Sequence, residues 1–289
     1  MPTTSRSPAS IAALQAALDR LGFSPNLIDG RHGERTRLAL AAWRESLGRP
    51  AADNVTAAEE TELLGAEPAE RTHVVTETDH AGLAPVPATW SGKSQLNTLE
   101  HETVLERVAE QFHSSQSWLR ERNPGVAWPN PPPGTTLTVP NTAQPRRLPK
   151  ADRIEIRLSE RSIRAYDAAG HVVAVFPCSI AARVEKRPQG ELRVVTAADR
   201  PNYTFDPALF AGEPGSEGLD RKLLIPPGPN NPVGLAWISL NRPGYGIHGT
   251  PHPEDIGKTE SHGCFRLANW NAQRLLRMVR PDTPVRVNP

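Results

Sequence analysis

Ser261-His262-Gly263-Cys264-Phe265-Arg266, with Ile247-His248-Gly249-Thr250 upstream, is the stretch on which the reading of this chain turns. It gathers a cysteine and two histidines into one short segment. A neutral thiol reacts slowly, and an imidazole within hydrogen-bond reach takes its proton and leaves the sulfur anionic. His248 precedes Cys264 by sixteen residues, a separation that two neighbouring strands, or a strand and a loop, can close. His262 is two residues from the sulfur and lies beside it in extended backbone. Spacing alone does not decide which histidine is the base. The expectation is an exposed sulfur kept ionised beside an imidazole. Zinc is the rival use of His248, His252, His262 and Cys264, but neither His-Glu-x-x-His nor paired Cys-x-x-Cys accompanies them, so no metal is expected. His252, between Pro251 and Pro253, reads as a solvated loop residue. Cys178, at the end of the apolar run 172–178, reads as core packing.

These residues resemble the signature of the L,D-transpeptidases with a YkuD-type catalytic domain: His-Gly-Thr, a variable loop, then Ser-His-Gly-Cys, an apolar residue and Arg. The resemblance implies a catalytic set of Cys264, His248 and His262, with Cys264 the nucleophile and His248 the base in preference to His262. It implies an oxyanion hole from the amides of Gly263 and Cys264, and a backbone carbonyl that orients the base. Arg266, Ser261, Tyr245 and Asn269 fall on the implied substrate surface, with the Arg266 guanidinium matched to a substrate carboxylate. No cofactor is required. The implied reaction cleaves a peptidoglycan tetrapeptide stem after its third, diamino-acid residue and passes the acyl group through a thioester to an amine. The product is a 3-3 crosslink or a protein attached to the wall. An L,D-carboxypeptidase, with water as acceptor, and a wall-binding protein with a disabled site are the competing functions. Implied partners are stem peptides, glycan strands and, as a further acceptor, a wall-anchored protein. Oligomeric state is unknown from these residues.

Working outward, 33 Lys and Arg nearly cancel 32 Asp and Glu. No electrostatic footprint for nucleic acid is present. Two cysteines of unlike context make no disulfide framework, and whether they pair is not decidable from sequence. No apolar run approaches the roughly 18 residues that cross a bilayer, and the start is polar with no signal-peptide core. Together with the resemblance, this gives the expectation of a periplasmic or wall-associated protein whose export signal has been removed. Thirty prolines imply many rigid loops.

The length calls for several domains. The first, 8–66, is a small helical unit: Ile11, Leu14, Leu18 and Leu21 recur at helical spacing, then Leu38, Leu40, Trp43 and Leu47 on a second helix. Between them Asp29-Gly30-Arg31-His32-Gly33-Glu34-Arg35-Thr36 supplies turn glycines and, in Thr36, a helix cap. This resembles the three-helix peptidoglycan-binding domain. Residues 67–93, rich in Ala, Glu, Thr and Pro without apolar periodicity, read as a linker. A unit at 94–142, with an extended start, two helices and a closing strand at 136–139, resembles a LysM domain, a small α+β binder of glycans.

From 150 to 289 the period becomes two. Strands are expected at 154–158, 162–167, 172–176, 191–196, 234–240 and 244–248, with one helix N-capped by Asn269. The fold class is therefore multidomain: a helical N-terminal domain, a LysM-like α+β domain, and a mainly-β, sandwich-like catalytic domain. The long loop 198–231 reads as a lid over the cleft, with Tyr203, Phe205 and Phe210 as its apolar contacts.

Overall fold

The structure is a computed structural model that describes residues 8–52, 54–143, 145–209, 218–258 and 263–289. It opens with helices α1 (Pro8–Leu21), α2 (Glu34–Ser46) and α3 (Ala57–Leu64), which bury Leu14, Leu18, Leu40, Trp43 and Leu63 together. α3 begins in a capping box, Thr56 accepting from the Glu59 amide while the Glu59 carboxylate accepts from the Thr56 amide. Against expectation, Thr36 does not cap α2. Gly33 is the N-cap, which puts Thr36 a turn too late, and its buried hydroxyl takes a 3.0 Å hydrogen bond from Gln15 Nε2. Gln15 Oε1 in turn accepts from the amides of Asp29 and Gly30, so one glutamine organises the turn.

The linker expected at 67–93 is folded. It carries β1 (Glu70–Val74), α4 (Glu77–His80) and most of α5 (Trp90–Ser94). Then come α6 (Val104–Gln111), α7 (Gln116–Arg122) and β2 (Thr136–Pro140). β1 pairs antiparallel with β2, Glu70 opposite Pro140 through Val74 opposite Thr136, so the small middle unit starts at 70 rather than 94. The strand was invisible as a pattern because its residues are polar or exposed; only Val75, just past its end, enters the core with Val104, Val108 and Leu137. Residues 86–99 leave this unit and pack on Phe205, Leu223 and Ile225 of the catalytic one. There Leu99 exchanges backbone hydrogen bonds with Pro227 (2.8 Å) and Asn230 (2.9 Å).

The catalytic unit contains β3 (Arg153–Arg157), β4 (Ser162–Tyr166), β5 (Val172–Pro177), β6 (Gly190–Asp199), β7 (Tyr203–Phe205), β8 (Leu223–Ile225), β9 (Ala236–Leu240), β10 (Gly246–His248), β11 (Phe265–Arg266), α8 (Asn269–Met278) and β12 (Pro284–Asn288). β7 and β8 form a hairpin of their own. The other strands make one eight-stranded sheet in the order β11-β10-β9-β6-β12-β3-β4-β5, antiparallel except for β10 with β11 and β12 with β3. The expected sandwich is thus a single mainly-β sheet curled on itself. β6 makes the curl: Gly190 to Arg193 pair with β12, the second half pairs with β9 as far as Asp199, and the β9 register shifts between Val194 and Thr196. Such a bulge bends and twists a strand. Ile154, Ile156, Ala174 and Phe176 from one end of the sheet therefore share a core with Ile238, Ile247 and Phe265 from the other. Ser179, just past β5, bridges Arg266 of β11 and closes the curl.

The helical unit seals the other side of β5. Phe23 bridges Val175, and Tyr166, Val172 and Val175 join the N-terminal helices' core. One buried carboxylate then ties all three units. Asp19 of α1 receives both Arg274 nitrogens from α8 (2.9 Å each) and His113 Nδ1 from the turn after α6 (2.8 Å). Burial alone would raise the Asp19 carboxyl, and the Arg274 and His113 charges and hydrogen bonds overcome it and hold the group far below the carboxylate range.

A group with a depressed folded-state pKa stabilises above its unfolded value and loses that contribution as the pH falls through the folded one. Asp19→Ala leaves Arg274 buried without its counter-ion and should cost about 3–5 kcal/mol in urea unfolding at pH 7. The difference from the parent should narrow in acid; a constant difference down to strongly acidic pH would argue against the ion pair.

Candidate active site

Two very short strands build the site. β10 and β11 run parallel with Ile247 beside Phe265 and His248 beside Arg266. Ile247 and Phe265 are each 1% exposed and point into the core. Because side chains alternate along a strand, His248 and Arg266 project from the opposite face, and so does Cys264, one residue before β11. Continued by one pair, the register sets Cys264 level with Gly246, a diagonal neighbour of His248 at about 8 Å between backbones from strand rise and spacing.

His248 is buried, its ring stacked on Trp237 with centroids 5.5 Å apart. Its Nδ1 lies 2.6 Å from the carbonyl oxygen of Gly249. A carbonyl only accepts, so Nδ1 carries the proton and the neutral ring keeps its lone pair on Nε2. Burial lowers the imidazole pKa to about 4; the Gly249 carbonyl opposes this and the Arg266 charge adds to it. Cys264 is partly exposed, and its thiol donates to the Gly244 carbonyl at 3.5 Å. Burial of the sulfur's surroundings raises its pKa above the ordinary thiol range. The sulfur expected to be ionised at rest is therefore a thiol, on the same face as a neutral imidazole. Burial penalises both charged forms, which leaves a weak acid and an unprotonated base on one face.

The other expected residues divide. Tyr245, half-buried, lies along Gly263, where an added Cβ would sit 3.5 Å from its ring, and Arg242 stacks over it at 4.6 Å. Arg266 is partly exposed, and its main chain exchanges two hydrogen bonds with Ser179. Asn269 is not on a surface and is not the cap of α8. It is 0% exposed, Ala268 is the N-cap, and its amide is spent on Leu235, Pro229 and Glu110. Ser261, His262 and Phe210 lie outside the described residues. His252 is exposed; Cys178 is fully buried, its thiol pushed up to about 12 by that burial. Both cysteines are free. In the expected lid, Phe205 is an anchor, fully buried and stacked on Trp90 at 4.1 Å.

Several contributors escaped the motif. Trp237 occupies a position on β9 that two-residue alternation marks as facing away from the core, and it covers His248. The loop after His248 is gripped from two sides: from the helical unit Asn26 Nδ2 donates to the Pro253 carbonyl at 2.7 Å, and within the catalytic unit Ser179 Oγ accepts from the Gly257 amide at 2.8 Å. Gly257, at φ +74°, is so close beneath Arg35 that any Cβ would collide with it. Asn26 and Arg35 carry no sequence signal for this, because the contact spans more than two hundred residues.

A curled mainly-β sheet with a Cys and a His on one face at its seam defines a class of acyl-transfer site, and comparison with known proteins gives the class a family. The model of the L,D-transpeptidase catalytic domain, YkuD, matches residues 151–287. A relative described as "Probable L,D-transpeptidase ErfK/SrfK" from Escherichia coli is 32% identical over 219 residues, 72% of this chain and 69% of the relative. "Probable L,D-transpeptidase YbiS" from the same organism is 31% identical over 70% of this chain and 67% of its own length. A Bacillus licheniformis protein bearing the name L,D-transpeptidase YkuD is 28% identical over 64% of this chain and 94% of its own length. The chain belongs to the L,D-transpeptidase family and is an L,D-transpeptidase enzyme. Among the described residues no helix is long and apolar enough to cross a membrane.

Iodoacetamide should alkylate Cys264 with a rate that keeps rising through the ordinary thiol range, because the thiolate forms only above it. His248→Ala should slow that reaction at neutral pH. A rate already at its plateau by neutral pH would contradict the neutral pair, and one indifferent to His248→Ala would contradict His248 as the base that takes the Cys264 proton.

Proposed function

We propose that this enzyme is a cysteine-dependent L,D-transpeptidase acting on peptidoglycan tetrapeptide stems, with Cys264 as nucleophile and His248 as base. The observation that carries the proposal is the shared face: the β10–β11 register turns both side chains outward together, while the Gly249 carbonyl holds the imidazole with its Nε2 lone pair available. In the acylation step the Cys264 proton passes to Nε2 as Sγ bonds to the carbonyl carbon of the third, diamino-acid residue. The peptide bond to D-alanine breaks, and its nitrogen takes the proton from His248. In transfer, an acceptor amine attacks the thioester, its proton returns through His248, and the thiol is restored. One imidazole serves both halves.

The amides of Gly263 and Cys264 are the proposed oxyanion donors, a role in which one lost donor costs about 10²–10³ in turnover. Arg266, Tyr245 and Ser261 are the proposed stem-binding residues, with His262 a further member of the catalytic set. Asn269 is withdrawn from the binding surface by its burial. The helical and middle units are proposed wall-binding modules, resembling peptidoglycan-binding and LysM domains, and a periplasmic or wall-associated location goes with them. Their rigid attachment through Asp19 supports stem delivery to one fixed cleft rather than a roaming tether.

Incubation with a disaccharide tetrapeptide, followed by weighing the products, tests the proposal. Crosslinked dimer with release of D-alanine is expected, and none from Cys264→Ala. Disaccharide tripeptide alone would make the enzyme an L,D-carboxypeptidase. Crosslinking retained by Cys264→Ala would remove the nucleophile.

A further inference from the structure

Asn269 begins α8 with no exposed surface and its amide fully engaged. Oδ1 accepts from the Leu235 amide at 3.1 Å; Nδ2 donates to the Pro229 carbonyl at 3.1 Å and to Glu110 Oε2 at 3.0 Å. The same Oδ1 presses against two glycines, so a Cβ on either Gly234 or Gly249 would overlap it. Gly249 is the residue whose carbonyl holds His248 Nδ1. Glu110 belongs to α6 of the middle unit, has a side chain only 14% exposed, and lies with its other oxygen 3.6 Å from His101 Nε2. An unbroken path therefore runs from the middle unit to the catalytic imidazole: carboxylate, carboxamide, glycine backbone, ring.

The carboxylate gives this path a direction. It accepts and cannot donate, so it holds the nitrogen of Asn269 toward itself and the oxygen toward Leu235 and Gly249. A flipped amide would set NH2 against the Leu235 N–H and oxygen against two acceptors, leaving buried polar groups unpaired. We propose that Glu110 and Asn269 are positioning residues for transpeptidation: through the crevice between Gly234 and Gly249 they set the Gly249 carbonyl, and with it the tautomer and pitch of His248. The proposal rests on His248 being the base.

Three variants of the full chain test it, with turnover of disaccharide tetrapeptide as readout. Glu110→Gln keeps an oxygen that accepts from Asn269 and should retain most of the parent kcat. Glu110→Ala should lower kcat about ten- to hundredfold, the scale of a misplaced catalytic group, with KM little changed. Glu110→Asp keeps the charge but is a methylene short, and should resemble Ala; it decides the matter even if Glu110→Ala does not fold. Equal kcat in Asp and parent, equal losses in Gln and Asp, or a rise in KM with kcat intact would each overturn the proposal. His248→Ala, run alongside, separates the two levels. If it abolishes turnover while Glu110→Asp leaves kcat whole, only the positioning role falls; if it leaves turnover intact, the assignment of the base falls first.

Discussion

Phe265 and Arg266 make a strand of two residues, and the site depends on its being held from both sides. β10 pairs with it in parallel, and Ser179, arriving from the far end of the sheet, pairs with it antiparallel through two hydrogen bonds of 2.9 and 3.1 Å. So short a strand has almost no stability of its own, and β11 is ordered by what closes around it. Phe265, fully buried, adds the apolar anchor, on the order of 1.5–3 kcal/mol for a side chain of that size. Alternation about that anchor turns Cys264 outward on the face that His248 occupies. Closure of the curled sheet and exposure of the sulfur are thus one event, and the bulge in β6 that bends the sheet is a remote condition of the chemistry.

The electrostatics follow from the same enclosure. A seam walled by Trp237, Tyr245 and Gly246 desolvates both partners, so burial holds the thiol and the imidazole neutral at rest. A neutral pair is less reactive than a thiolate with imidazolium, and in the proposed acylation charge develops only when a substrate carbonyl arrives. Donors aimed at that charge act with most effect in such a water-poor setting. The His248 tautomer is settled beforehand by the Gly249 carbonyl, so no reorientation is needed at the moment of attack. The three units bear on this site as one body: Asn26 and Arg35 steady the loop that follows His248, Leu99 lies along the strap 227–230, and Asp19 joins α1, α8 and the turn at His113.

Much of this was legible in the residues. The expected strands fall on β3, β4, β5, β6, β9 and β10, whereas β11 and β12 were not read, and helical spacing located α1 and α2, because in these elements burial on one face writes itself into sequence. The motif singled out His248 and Cys264, and the β10–β11 register sets them on one face. What escaped depends on tertiary contact. β1 is held by main-chain bonds to β2 and shows no apolar pattern. Asn269 has the side chain of a cap and the environment of a core residue, and only the glycines crowding it reveal the difference. Thr36 lost its capping place to Gly33, because the preceding turn is organised by Gln15. The neutral state of the thiol was out of reach for a related reason: motif residues name the acid and the base, whereas depth of burial sets their charges.

The most direct measurement is peptide mapping of the enzyme quenched in acid during turnover of a disaccharide tetrapeptide. The account predicts an acyl adduct of mass equal to the donor less D-alanine, carried by the proteolytic fragment that contains Cys264 and lost on treatment with hydroxylamine. Continued turnover with Cys264 unmodified at every time point, or an adduct on any other residue, would contradict it.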